Sequence, residues 1–247
     1  MTQLALVALA ALTYFGVRGL TEANQVAAVA HAHDVLRFEH GLGLDVEHRL
    51  QAAVIGHHAI VTAMNWVYIW GHWPAIIATL VWLYRSDRDG YRLLRNAMFV
   101  SGAIGLVVFA AFPVAPPRLA DLGLIDTVTA HSSSYRVLQP PSLVNRYAAV
   151  PSLHVGWNLL VGVFLWRHAG GRLRAVAVAS PALMFAAVVL TANHFVVDGL
   201  AGMTVAAVGL VSATAVRRLV LRPAGQALGG LVLDGTVRSD NTLVIHD

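Results

Sequence analysis

Apolar stretches of close to twenty residues recur along this chain, and that is the length an α-helix needs to cross the hydrocarbon core of a bilayer. They run over residues 4–20, 59–84, 94–112, 150–166, 175–192 and 195–216. In lipid every backbone polar group must be satisfied within its own segment, so apolar runs of this length read as helices. The expected fold is therefore all-α: a polytopic membrane bundle of six transmembrane helices over residues 1–222, followed by a flexible cytoplasmic tail over 223–247. Composition points the same way. With 57% hydrophobic and 12% charged residues and a mean hydropathy of +0.65, the chain is more apolar than one soluble core requires. No basic residue precedes Arg18, so the first run reads as an uncleaved span rather than a signal peptide. The fourth run is short unless its helix begins in the turn at Pro151, and Pro74 and Pro181 read as tolerated kinks within spans.

Arginine placement orients the bundle. All 17 basic residues are arginine. Arg85, Arg88, Arg92 and Arg95 follow the second run, Arg167, Arg172 and Arg174 follow the fourth, and Arg217, Arg218 and Arg222 follow the sixth. Six spans put these three clusters on one side, and the positive-inside rule makes it the cytoplasm, with both termini there. The segment 21–58, the loop 113–149 and the junction at His194 then share the extracytoplasmic side of the plasma membrane. The arginines are spread over short loops rather than gathered into a patch, which argues against a nucleic-acid partner. Cysteine is absent, excluding disulfides, thiolate nucleophiles and thiolate metal sites.

Polar residues at the ends of apolar runs need a polar reason to be there. His154 opens the fourth run; His194 and Asp198 sit at the junction of the last two, spaced i and i+4 and so on one face of a helix that starts at or before His194. A carboxylate on one ring nitrogen leaves the other with a lone pair, the arrangement of an oriented nucleophile or base. His154, facing it, is placed to protonate a leaving oxygen. Ser152, at a helix N-terminus, suits an anion, and the planar fork of Arg118, after the third run, suits phosphate oxygens.

Three segments carry a resemblance. Pro-Pro-Arg at 116–118, Ala-Val-Pro-Ser-Leu-His-Val-Gly-Trp at 149–157 and His-Phe-Val-Val-Asp-Gly-Leu-Ala-Gly at 194–202 resemble the three signature motifs of the type-2 phosphatidic-acid phosphatase superfamily. The leucine between Ser152 and His154, with the Pro-Pro-Arg form, is similar to the branch containing inositol phosphorylceramide synthases. The resemblance implies a nucleophilic His194 forming a phosphohistidine, Asp198 orienting it, His154 as acid and later base, and Ser152 and Arg118 on the phosphate. It also implies departures: phosphatases of this superfamily usually carry a lysine before the motif arginine and an arginine six residues before the nucleophile. Here there is no lysine, and residue 188 is Val188. A phosphodiester bears less charge than a monoester, so a cradle poorer in cations favours head-group transfer over phosphatase action.

The expected function is thus a membrane phosphotransferase or phosphatase that cleaves a lipid-linked phosphate ester and passes the phosphoryl group to a small alcohol, with an inositol-like polyol favoured, or to water. No cofactor or metal is required by these residues. Candidate head-group or acceptor contacts are Asn193, Arg136, Arg146, Tyr147 and His72. Against this stand a lipid phosphate monoester phosphatase and, from another class, a non-enzymatic haem or metal membrane protein built on the 12 histidines. His57, His58 and His72 otherwise read as interhelical hydrogen-bonding groups, and His31 and His33 as interfacial. Trp66, Trp70, Trp73 and Trp82 read as an aromatic belt, and Gly102, Gly105, Gly199 and Gly202 as points of close helix packing.

Overall fold

The computed structural model describes Leu12, residues 25–128 and residues 146–220. Among the described residues there are eight α-helices, one 3₁₀ turn and no β-strand. In chain order they are α1 (Gln25–Leu42), α2 (Glu47–Val54), α3 (His58–Trp70), α4 (Trp73–Ser86), α5 (Arg88–Ala111), the 3₁₀ turn Pro117–Leu119, α6 (Leu153–His168), α7 (Arg172–Leu190) and α8 (Val196–Val220). The first expected span, apart from Leu12, and the tail 223–247 lie outside the described residues.

Among the described residues three helices are long and apolar enough to cross a membrane: α5, α7 and α8. They correspond to the third, fifth and sixth apolar runs. The second run, expected as one kinked helix, is two: α3 and α4 meet at a 45° bend, and they add a fourth candidate if the pair is one broken span. Pro74 explains the break. It has no N–H for the carbonyl of Trp70, and its ring would press on that carbonyl, but it is accommodated in the first turn of a new helix. Pro181, by contrast, stays inside α7. The fourth run is α6, only 16 residues long, and its helix does begin just after Pro151, with Ser152 at the N-cap.

The core is the packing of α5, α6 and α8. Leu94, Ala97, Leu160, Phe164 and Ala206 are all at most 1% exposed and form its centre. Close approach requires small residues: a Cβ on Gly156 would strike the Gly202 carbonyl, and one on Gly202 would strike the Ser152 backbone. Gly199 meets Phe185 in the same way, Gly102 faces Trp157, and Gly105 faces Leu153. Helix α5 runs opposite to α6 and α8, as two side-chain contacts show. Asp87, capping α5, meets His168 at the end of α6 at 2.8 Å, and Asp89 meets Arg217 near the end of α8 at 3.0 Å. The arginine-bearing ends thus gather at one end of the bundle.

The other end is closed by irregular chain. Val114 and Ala148 form an isolated parallel bridge, through Val114 N–H to Tyr147 O at 2.8 Å and Ala149 N–H to Val114 O at 3.2 Å. Ala115 N–H donates to Ala28 O at 3.0 Å, and His31 Nδ1–H to Pro113 O at 2.8 Å, so α1 lies across this end rather than standing apart as an interfacial helix. Gln51 and Asn65 bind the backbone of Ile125 and Thr127 and lash the segment after the 3₁₀ turn to α2 and α3. His57 and His58 are exposed at the start of α3, not buried between helices as expected, because the helix begins there. Trp66, Trp70 and Trp73 are exposed.

Candidate active site

Two helix N-termini and the end of α7 converge at this closed end. Ser152 N–H donates to Asp198 O at 2.8 Å, joining the start of α6 to the start of α8. After α7 the chain makes a tight turn through Thr191 and Ala192, the latter at φ 55°, and the amides of Asn193 and His194 both donate to Val188 O. His194 therefore precedes α8 instead of lying on it, two residues before its first helical residue.

That position changes how its ring is held. His194 Nδ1 lies 2.8 Å from Ala149 O and 3.3 Å from Asp198 Oδ2. Both oxygens only accept, so Nδ1 carries the hydrogen and Nε2 keeps the lone pair in the neutral ring. The i, i+4 spacing does bring Asp198 to His194, but the shorter bond goes to a backbone carbonyl that no spacing pointed to. Asp198 Oδ2 also accepts Phe195 N–H at 2.9 Å, the reach of a third helical residue back to the N-cap amide. His194 is 6% exposed and Asp198 is fully buried.

His154, in the first turn of α6, faces this ring at 6.1 Å between centroids. Its other side is walled by Tyr68 at 4.7 Å and His72 at 4.3 Å, both contributed by the α3–α4 elbow. His72 is buried and stacked on Trp157. Asn158 Nδ2 donates to His72 Nδ1 at 3.1 Å and to His154 O at 2.9 Å, and its Oδ1 accepts Ser180 Oγ–H. Tyr68 and Asn158 were not anticipated. Each is four residues from a histidine, Tyr68 before His72 and Asn158 after His154, a signal that helical spacing contains.

Arg118 reaches the segment just before His194 from the 3₁₀ turn. Its backbone N–H donates to Ala192 O, its Nε to Asn193 Oδ1 at 2.9 Å, and its Nη1 pairs with Asp126 at 2.7 Å. Asn193, a candidate head-group contact, holds this guanidinium through its Oδ1, with its Nδ2 on Thr191 Oγ1 at 2.7 Å. Ser152 Oγ is fully buried and has no hydrogen-bond partner, and no side chain caps α6. Arg146 is exposed at the start of the returning segment, Tyr147 beside it is half-buried, and Arg136 lies outside the described residues. Among the described residues no group of three or more His, Asp or Glu side chains is arranged to hold a metal ion.

A family model described as the PAP2 superfamily matches residues 33–212, well over half of the chain. The chain belongs to the PAP2 superfamily. The match spans α1 to α8 almost entirely and includes all three motif segments and the α3–α4 elbow. No curated protein and no solved structure matches the chain. PAP2 members are phosphatases or phosphotransferases of lipid phosphates, and this one, with its apolar helices, is a membrane protein.

The PAP2 chain also has a feature that its motifs do not contain. Three consecutive amides at the start of α8 are each taken by a carboxylate. Phe195 N–H goes to Asp198, Val196 N–H to Glu47 Oε1 at 3.0 Å, and Val197 N–H to Glu39 Oε1 at 2.6 Å. Sequence reasoning missed both glutamates, because nothing local marks a residue some 150 positions away as a helix cap.

Proposed function

We propose that this PAP2 enzyme cleaves a lipid-linked phosphate ester through a phosphohistidine on His194 and transfers the phosphoryl group to an alcohol, an inositol-like polyol being favoured, or to water. The observation that carries the reading is the facing pair: an imidazole with its Nδ1–H committed to Ala149 and Asp198, and a second imidazole 6.1 Å away. In the first step Nε2 of His194 bonds to phosphorus, the phosphorus–oxygen bond to the lipid alcohol breaks, and protonated His154 gives its proton to the departing oxygen. In the second, the acceptor oxygen attacks phosphorus, the phosphorus–nitrogen bond breaks, and His154 takes the acceptor's proton. Arg118 and the hydroxyl of Ser152 bear on the phosphate oxygens.

Transfer rather than plain hydrolysis is supported by the poverty of cations. Val188 is buried in apolar surroundings where phosphatases of the superfamily carry arginine, and Arg118 shares its charge with Asp126. The arginine-bearing ends lie opposite the site, which supports an extracytoplasmic site by the positive-inside rule; the proposal places it in a six-span protein of the plasma membrane with both termini cytoplasmic.

The test is acid-labile labelling of the purified enzyme by radioactive phospholipid. Wild type takes up label, His194→Ala takes up none, and His154→Ala accumulates it; full turnover by His194→Ala overturns the reading. Release of inorganic phosphate with no new diester would assign a lipid phosphate phosphatase instead. A Soret band in the absorption spectrum would replace both with a haem protein.

A further inference from the structure

Glu39 and Glu47 come from α1 and α2, yet both are buried against the nucleophile's helix, at 0% and 2% exposure. Buried carboxyls need a partner for every oxygen, and here the partners are incomplete. Glu39 Oε1 takes Val197 N–H, while Glu39 Oε2 is buried with no hydrogen-bond partner. The charged groups acting on Glu39 are Glu47 from α2 and Asp198 from α8, all of one sign, while His40 on its own helix is engaged outside with Asp45. Two adjoining carboxylates repel; a proton on Oε2 removes one charge and turns the orphaned acceptor into a donor toward Glu47.

We propose that Glu39 and Glu47 are positioning residues for His194, a carboxyl pair that shares one proton and grips the first turn of α8 through two adjacent amides. The proposal rests on His194 being the nucleophile. Its Nδ1 depends on Asp198, three residues into α8, and the register of that turn is set by the three capped amides. Of the orphan donors that any helix start presents, these are supplied from outside the bundle's catalytic motifs. Burial pushes Glu39 up from 4.5 to about 8, against the opposing Val197 bond, with Glu47 and Asp198 adding to the rise. Glu39 is therefore protonated at neutral pH and ionises on mild alkalinisation, placing two like charges under the nucleophile's helix. For stability the sign is the reverse of an ordinary salt-bridged carboxylate: the folded state holds a proton the unfolded chain has released, so its contribution falls from pH 4.5 up to about 8 and is level above.

The experiment combines infrared titration with kinetics on the purified full chain, using the radioactive phospholipid that labels wild type. Wild type should show a protonated-carboxyl band that disappears near pH 8 and is absent from Glu39→Gln. Glu39→Gln keeps an acceptor for Val197 and cannot ionise, so its kcat at neutral pH stays within about threefold and its alkaline limb moves upward. Glu39→Ala should lower kcat about tenfold with KM unchanged, the loss of roughly one buried hydrogen bond. An alkaline limb in Glu39→Gln identical to wild type, or no such band, overturns the proposal; so does full kcat in Glu39→Ala. If Glu39→Ala does not fold, the Gln variant decides alone. The infrared band needs no substrate, so a failure of the functional reading, seen as an active His194→Ala, is distinguishable from a failure here.

Discussion

Asn158 donates a side-chain N–H to Nδ1 of His72 at 3.1 Å, and the bond fixes where the imidazole's own hydrogen sits. Ser180 Oγ–H on Asn158 Oδ1 assigns the amide's orientation, so His72 Nδ1 accepts and Nε2 holds the hydrogen in the neutral ring. His72 is thereby held as one wall of His154. Asn158→Leu should lower kcat about five- to tenfold, the worth of one buried hydrogen bond, with little change in KM. Steady-state kinetics of this variant check it; an unchanged kcat would mean that His72 only packs.

Asp198→Asn should cut turnover by about 10²- to 10⁴-fold, the range found when a carboxylate behind a catalytic histidine is neutralised. The Ala149 carbonyl still holds Nδ1–H, and the new amide oxygen can still accept Phe195 N–H, so the melting temperature should hardly move. Paired kinetics and thermal unfolding test this. Wild-type turnover would show that Ala149 alone orients the ring.

Arg118→Lys is not conservative here. An ammonium cannot span Asn193 Oδ1 and Asp126 as the guanidinium does, so kcat/KM should fall about 10- to 100-fold. Equal kcat/KM in the two proteins would remove Arg118 from the phosphate site.

Gly202→Ala should destabilise the bundle by about 1–3 kcal/mol, because its methyl group meets Ser152 backbone that cannot swing away. Gly170→Ala, which opens onto free space, is the control and should leave the melting temperature unchanged. A melting temperature for Gly202→Ala equal to that of the control would refute the tight α6–α8 contact.

The parts of this site that a sequence reader can find are those within one helical turn of a motif residue. His154, His194 and Asp198 announce themselves as polar residues at the ends of apolar runs, and Ser152 and Arg118 follow from their neighbours. Spacing alone leaves the helix start open: His194 and Asp198 share a helix face only if α8 starts at or before His194, and the turn at Ala192 places His194 before the first helical residue. The α3–α4 break was read as a kink because an apolar run hides it; only the register around Pro74 shows that a carbonyl loses its donor. Glu39 and Glu47 were beyond reach, since their partners are backbone amides and backbone amides carry no sequence identity. His31 and His33 were read as interfacial, and the helix that carries them, α1, packs on the closed end of the bundle through Ala28, Ala32 and Val35.

The uncapped start of α6 has an electrical consequence beside the saturated start of α8. Both helices start at the closed end of the bundle, but three amides at the start of α8 are covered by carboxyl groups while no side chain caps α6. The positive ends of the two helix dipoles are therefore unequally compensated there. On the proposed reading, that asymmetry gives a phosphate more favourable surroundings at Ser152 than at the start of α8, and so a preferred side from which to meet the His194 imidazole.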